Sequence, residues 1–233
     1  MDFSQFLALH EELSLIAVLV LLLVYDLFAP EKGRRQIPLV ACLLLLAHTV
    51  FCACDFAACA CPATAGGRSA FAGMYDASQA ALLFKNILNI GVLLVCLQAC
   101  PYLRREDNGI KAGEFYFLLF STLFGMYLML SAGHFLLFFI GMETASIPMA
   151  SLVAFDKYKT QSAEAGAKFI LSSAFASGLS FFGLSLIYGG TGSLYFADIQ
   201  GGLSHTPLLL GGMVLLCSGL FFKISLVPYH LWA

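Results

Sequence analysis

Seven apolar runs of roughly membrane length follow one another along this chain, and they confine it to one kind of fold. They are Leu13–Phe28, Ile37–Phe56, Ala80–Tyr102, Phe115–Ala132, Phe135–Phe155, Ala163–Tyr188 and Leu208–Trp232. A helix needs about 17–25 mostly apolar residues to cross a hydrocarbon core. Helices and closed barrels are the structures that satisfy their own backbone there. The expected fold is an all-α membrane protein with seven transmembrane helices. The first run is short unless it extends back towards Phe6. The stretch Phe115–Phe155 as a single helix would be about 60 Å long, so it is divided at Gly133-His134.

Composition agrees with this reading. Apolar residues make up 60% of the chain and charged residues 11%, against about 25% charged in a soluble domain. The net charge of −2 provides no basic field for nucleic acid. The start, Met1–Glu12, holds Asp2, Glu11 and Glu12 and no Lys or Arg. It lacks the basic segment of a cleavable signal peptide, so the first run is expected to stay as a span.

The basic residues set the expected orientation. The first loop holds Lys32, Arg34 and Arg35, the third Arg104, Arg105 and Lys111, and the fifth Lys157 and Lys159. The second loop holds Arg68, and the fourth and sixth hold no Lys or Arg. Cytoplasmic loops carry the positive excess. The N-terminus is therefore expected outside, and the last residues on the cytoplasmic side. Lys85, Lys168 and Lys223 remain, and they lie inside the apolar runs.

A lysine at mid-membrane costs about 2.5–3.5 kcal/mol on insertion scales. Lys223 stands in Leu208–Val227, a stretch with no other charge. Glu143, in the fifth run, is its candidate partner, about 12 Å deep at helical rise. One reading is a static salt bridge that locks two helices; an ion pair in low dielectric often stabilises no better than an apolar pair. The other is a titrating pair, in which the Glu–Lys separation decides whether the lysine keeps its proton. Lys168 shares a helix face with Glu164 and Ser172. It either snorkels to the surface or serves as the cytoplasmic-side member of a relay. The small residues of Ser172–Gly178 allow close helix contact. Pro228 is expected to break the seventh helix, as happens where a helix lines a polar cavity. His230 follows it, either passing protons on or hydrogen-bonding at the interface.

Other polar residues read as structural. Lys85, near the outer end of the third run with Asn86 and Asn89, is expected to snorkel to the interface. His134 lies in a turn, His48 stands alone in an apolar run, and His10 and His205 are peripheral. Cys52, Cys54, Cys59 and Cys61 form C-x-C-x4-C-x-C. Three readings stay open for them: a metal or cluster site, two disulfides, or incidental thiols. Cys42, Cys96, Cys100 and Cys217 read as small apolar residues. No cofactor-binding loop or nucleophile constellation is present, so no catalytic, cofactor-binding or metal residue is expected in the chain.

Three strings carry a family resemblance: Gly141-Met-Glu-Thr-Ala-Ser through Ser162-Ala-Glu-Ala-Gly-Ala-Lys to Gly178, then Gly183–Leu194, then Phe222-Lys-Ile-Ser-Leu-Val-Pro-Tyr-His-Leu-Trp232. Together they resemble subunit N of the proton-pumping NADH–quinone oxidoreductase, respiratory complex I. The resemblance is good over Glu114–Ala233 and loose over the first three runs. It implies an antiporter-like fold of two inverted five-helix repeats, of which this chain holds an incomplete first one. Residues 1–112 would form three N-terminal helices, and 113–233 helices four to seven. The family's fifth-span glutamate corresponds to Glu143, its sixth-span lysine to Lys168, its seventh-span lysine to Lys223, and the histidine after the broken helix to His230. The eighth-span lysine and the second repeat have no counterpart here.

The resemblance further implies a non-redox subunit of the oxidoreductase, working as a translocase in a bacterial inner membrane. Quinone reduction elsewhere would drive protonation changes along a buried polar axis. NADH, FMN, iron–sulfur clusters and quinone would sit on other subunits, and the partners would be other membrane subunits, lipid and protons. The alternatives are a subunit of a related multi-subunit cation/proton antiporter, or a non-conducting membrane scaffold.

Overall fold

The computed structural model describes residues 4–29, 36–59, 68–103, 112–156, 159–202, 206–227 and 229. Helices occupy the apolar runs: α1 His10–Phe28, α2 Ile37–Cys59, α3 Gln79–Leu103, α4 Ala112–Leu130, α5 Phe135–Val153, α6 Thr160–Thr191 and α7 Pro207–Lys223. Shorter helical pieces cover Ser4–Leu7 and Phe196–Gly202, and a hairpin pairs β1, Arg68–Ala70, antiparallel with β2, Tyr75–Ala77. Among the described residues, five helices, α2 to α6, are long and apolar enough to cross a membrane. The other two fall short for different reasons. α1 has 19 residues but carries Glu11, Glu12 and Asp26, and α7 has 17.

Several helix ends differ from the apolar runs. α1 starts at His10, with Glu11 and Glu12 in its first turn, where acidic side chains complement the helix dipole. The long fourth-to-fifth stretch divides between Leu130 and Phe135, at Gly133-His134 as expected. His134 makes that start: its Nδ1 accepts from the Leu136 N–H at 3.0 Å, a cap for an otherwise unpaired donor. The expected break at Pro228 lies outside the described residues, and α7 already ends at Lys223. The Leu226 N–H bonds the Phe221 carbonyl at 2.9 Å and the Ser225 N–H bonds the Phe222 carbonyl at 3.1 Å. That is the Schellman pattern, with its left-handed position taken by Ser225 at φ 53°.

The chain forms two compact units, residues 1–132 with 137–149, and residues 133–136 with 150–233. In the first, α1 packs on α4 and α2, α2 on α3 and α4, and α3 on α4. Each helix turns one stripe inward at three- and four-residue spacing: Leu15, Val18 and Leu22 from α1; Ala41, Leu45 and Cys52 from α2; Leu82, Val92 and Cys96 from α3; Tyr116, Phe120 and Tyr127 from α4. The opposite faces are apolar too, with Leu43, Ile90 and Leu94 more than half exposed. Lipid is as apolar as leucine, so close packing and polar contacts, rather than apolar burial, hold such helices together. Gly125 and Gly141 illustrate the packing: a Cβ on Gly141 would lie 2.8 Å from the Gly125 carbonyl oxygen.

In the second unit α6 packs against α7. A Cβ on Gly183 would lie 2.5 Å from the Leu216 nitrogen, and one on Gly212 2.9 Å from the Gly183 oxygen. Gly219 faces Ala176 and Ser180, so the two helices run antiparallel. The contact face is Ala176, Ser180, Gly183 and Ile187. Gly178, in the small-residue stretch, opens onto free space.

Candidate functional site

Five buried polar residues of the first unit occupy stripe positions of its helices. Glu11 is in phase with Leu15, His48 with Leu45 and Cys52, Lys85 and Asn89 with Leu82 and Val92, and Tyr127 with Leu123. The folding that buries the apolar stripe therefore also gathers these groups. They meet at one end of the unit, closed by the hairpin, where Ala70, Tyr75, Ala77 and Leu82 make a small apolar core.

Lys85 is the centre of the group. Its side chain is 0% exposed, so the expected snorkelling to the interface is wrong. Nζ lies 2.9 Å from Glu11 Oε2 and 2.6 Å from Glu12 Oε1. The Tyr75 hydroxyl donates to the Glu12 carboxylate, 3.0 and 2.9 Å from its two oxygens, and Ser131 Oγ donates to Glu12 Oε1 at 3.4 Å. The rings of Tyr127 and Tyr75 present their faces to the ammonium, with centroids at 5.2 and 5.6 Å, a cation–π geometry. Snorkelling is unnecessary because α1 starts early enough to bring two carboxylates to the lysine. Burial also holds the Tyr75 hydroxyl above its ordinary pKa, so it remains a donor.

A second group adjoins the first. His48 Nδ1 is 3.0 Å from Ser14 Oγ, and its Nε2 is 3.0 Å from the Tyr127 hydroxyl. Tyr127 donates to Asn89 Oδ1 at 2.6 Å. Cys52 Sγ stands 3.6 Å from His48 Nε2. His48 is thus not alone in its helix. His10, expected to be peripheral, pairs with Asp55 at 2.5 Å. Sequence reading weighed Lys85 and His48 one at a time and missed the ensemble. The usable signal was phase: both fall on the same face as the buried apolar residues of their helices.

The residues singled out for a relay are distributed differently. Glu143 is half-buried on α5, in the first unit. It sits two residues past Gly141, and Pro148 has no N–H to offer the Thr144 carbonyl beside it. Lys168 and Lys223 belong to the second unit. Lys168 is exposed and bonds Glu164 at 2.5 Å, one turn back on α6. Lys223 is half-buried and closes α7, where the helix dipole favours a cation. The antiparallel register of α6 and α7 sets Lys223 level with Ala174, about 9 Å along the axis from Lys168. Pro228 and His230 lie outside the described residues. In the cysteine motif Cys52 is buried and Cys54 exposed; Cys61 and the Cys59 side chain lie outside the description.

Known proteins share this sequence and architecture. NADH-quinone oxidoreductase subunit N of Phocaeicola vulgatus is 52% identical over 232 residues, covering 100% of this chain and 47% of the relative. This chain is a relative of NADH-quinone oxidoreductase subunit N. The subunit N of Azobacteroides pseudotrichonymphae is 44% identical over the same share of each chain. The chain spans about half the length of the curated relatives it matches. The family described as NADH:quinone oxidoreductase/Mrp antiporter, TM matches residues 132–233. Among solved structures, a chain of respiratory complex I from Thermus thermophilus with bound Aureothin superposes with a TM-score of 0.73 at 26% identity, over 95% of this chain and 45% of that one. A chain of the membrane-bound sulfane sulfur reductase, an archaeal respiratory membrane complex, shares the fold, with a TM-score of 0.74 at 21% identity over 100% of this chain and 47% of that one.

Proposed function

We propose that the chain is part of a proton-translocating membrane subunit of an NADH:quinone oxidoreductase. The observation that carries this reading is the 52% identity of the whole chain to 47% of a subunit N. Seven spans, an outside N-terminus and a cytoplasmic end follow from the alternation of basic loops. Glu143, Lys168, Lys223 and His230 form the relay. Quinone reduction elsewhere in the complex changes the charge next to one of them, and the proton passes along the series. Glu143 and Lys223 are both half-buried, and ionisable residues within membrane spans mark ion and proton pathways. The end of α7 at Lys223 leaves non-helical backbone beside it, as at the broken helices of transporters. The chain does no redox chemistry. NADH, FMN, the iron–sulfur clusters and quinone belong to partner subunits.

Affinity purification tests the assignment. An epitope tag on the chain in its native host is expected to retain NADH:quinone reductase activity on the resin after mild detergent extraction. Recovery of the chain within a stable complex devoid of that activity contradicts the assignment. Recovery within a sodium/proton antiporter assembly would point to the antiporter side of the family instead.

A further inference from the structure

The Lys85 cluster has more negative than positive charge. Glu11 and Glu12 bring two carboxylates to one ammonium, and all three side chains are at most 2% exposed. An uncompensated charge in such a place costs several kcal/mol even after relaxation. The remaining charged and titratable groups do not supply the missing cation. From α2, Asp55 is already engaged by His10, Cys52 is a thiol, and His48 is a buried imidazole whose ring nitrogens meet the hydroxyls of Ser14 and Tyr127, with no carboxylate against them. From α4 and the hairpin come Tyr127 and Tyr75, which are neutral.

The bonding pattern shows where compensation is needed. Glu12 has its partners: Oε1 meets Lys85, Tyr75 and Ser131, and Oε2 meets Tyr75. Glu11 uses Oε2 on Lys85, while its Oε1 is buried with no hydrogen-bond partner, as is Asn89 Nδ2. An ionised carboxylate oxygen left unpaired in a buried site carries the full desolvation penalty. Protonating it removes the excess charge and leaves a neutral hydroxyl where an ionised oxygen would stand unpaired, a smaller desolvation cost.

We propose that the Lys85 cluster is a buried proton-binding site in which one proton, beyond those of the ammonium, is held by Glu11 at its unpartnered Oε1. Glu12 stays ionised as the counter-charge of Lys85. Beside the site, the ring nitrogens of His48 face the hydroxyls of Ser14 and Tyr127, whose own hydrogens go to the Glu11 carbonyl and to Asn89 Oδ1. The site uses none of Glu143, Lys168, Lys223 or His230, and it does not rest on the relay reading.

Infrared difference spectra of the assembled membrane complex test this, taken as wild type minus Glu11→Gln at neutral pH. The expected result is a protonated-carboxyl C=O band in wild type that shifts in deuterium oxide and is missing from Glu11→Gln. His48→Gln is expected to keep the band. Glu11→Gln is also expected to assemble and melt like wild type, since Gln copies the neutral carboxyl. Absence of the band, or failure of Glu11→Gln to assemble, means both carboxylates are ionised and overturns the proposal. A wild-type band that fades as sodium is raised at constant pH gives the site to a cation and overturns it as well.

Discussion

Tyr75 is one hydroxyl on a three-residue strand, yet it meets the most buried charges in the described chain. It donates to Glu12 and stands 3.4 Å from Lys85 Nζ. Tyr75→Phe removes a hydrogen bond to a charged group, worth about 1.5–3 kcal/mol, and is expected to lower thermal stability measurably. Burial raises the folded-state pKa of this hydroxyl, so its contribution is fully present below the unfolded value, about 10. It is lost as pH rises beyond that. The wild type is therefore expected to keep its margin over Tyr75→Phe from neutral pH up to about 9 and to lose stability more steeply than the variant in stronger alkali. Circular dichroism melts across that range check this; a margin that shrinks between pH 6 and 8 contradicts it. Lys85 is more demanding. Removing one partner of a buried ion pair costs about 3–5 kcal/mol, and Lys85→Met is expected to fall in that range. Lys168, by contrast, is exposed and pairs within its own helix, and Lys168→Ala is expected to leave the melt unchanged.

At the scale of elements, helix ends decide where charges sit. α7 ends at Lys223 through a Schellman turn whose left-handed position is filled by Ser225 rather than glycine. A left-handed residue with a Cβ costs roughly 1–2 kcal/mol, so Ser225→Gly is expected to stabilise the protein by about 1 kcal/mol. A melt unchanged or lowered by this substitution contradicts the turn. The element layout was readable from the amino-acid pattern where composition alone decides it. The division of the long stretch at Gly133-His134 is an example. The ends were less readable, because they depend on side chains reaching back to the backbone. Glu11 and Glu12 lie ahead of the first apolar run, Leu13–Phe28, yet form the first turn of α1. Pro228 looked like the break, while the hydrogen bonds of Ser225 and Leu226 end α7 first. Lys85 was misread because snorkelling is judged from one helix, whereas its partners come from another, 73 and 74 residues away in sequence.

At the scale of the molecule, the apolar inner and outer faces explain why polar groups carry so much of the specificity. Lipid gives little drive to helix association. Glycine contacts such as Gly183 with Gly212 set close approach in one unit, and the ion cluster with the adjoining His48 group ties four helices and a hairpin together in the other. In the proposed function, protons move through Glu143 and Lys223. The most direct measurement is the number of protons translocated per NADH oxidised by the assembled complex carrying Lys223→Ala in sealed vesicles. Normal assembly with that ratio clearly reduced is expected, and the same for Glu143→Ala. An unchanged ratio together with failed or weakened assembly would contradict it and leave these charges as helix-locking scaffold.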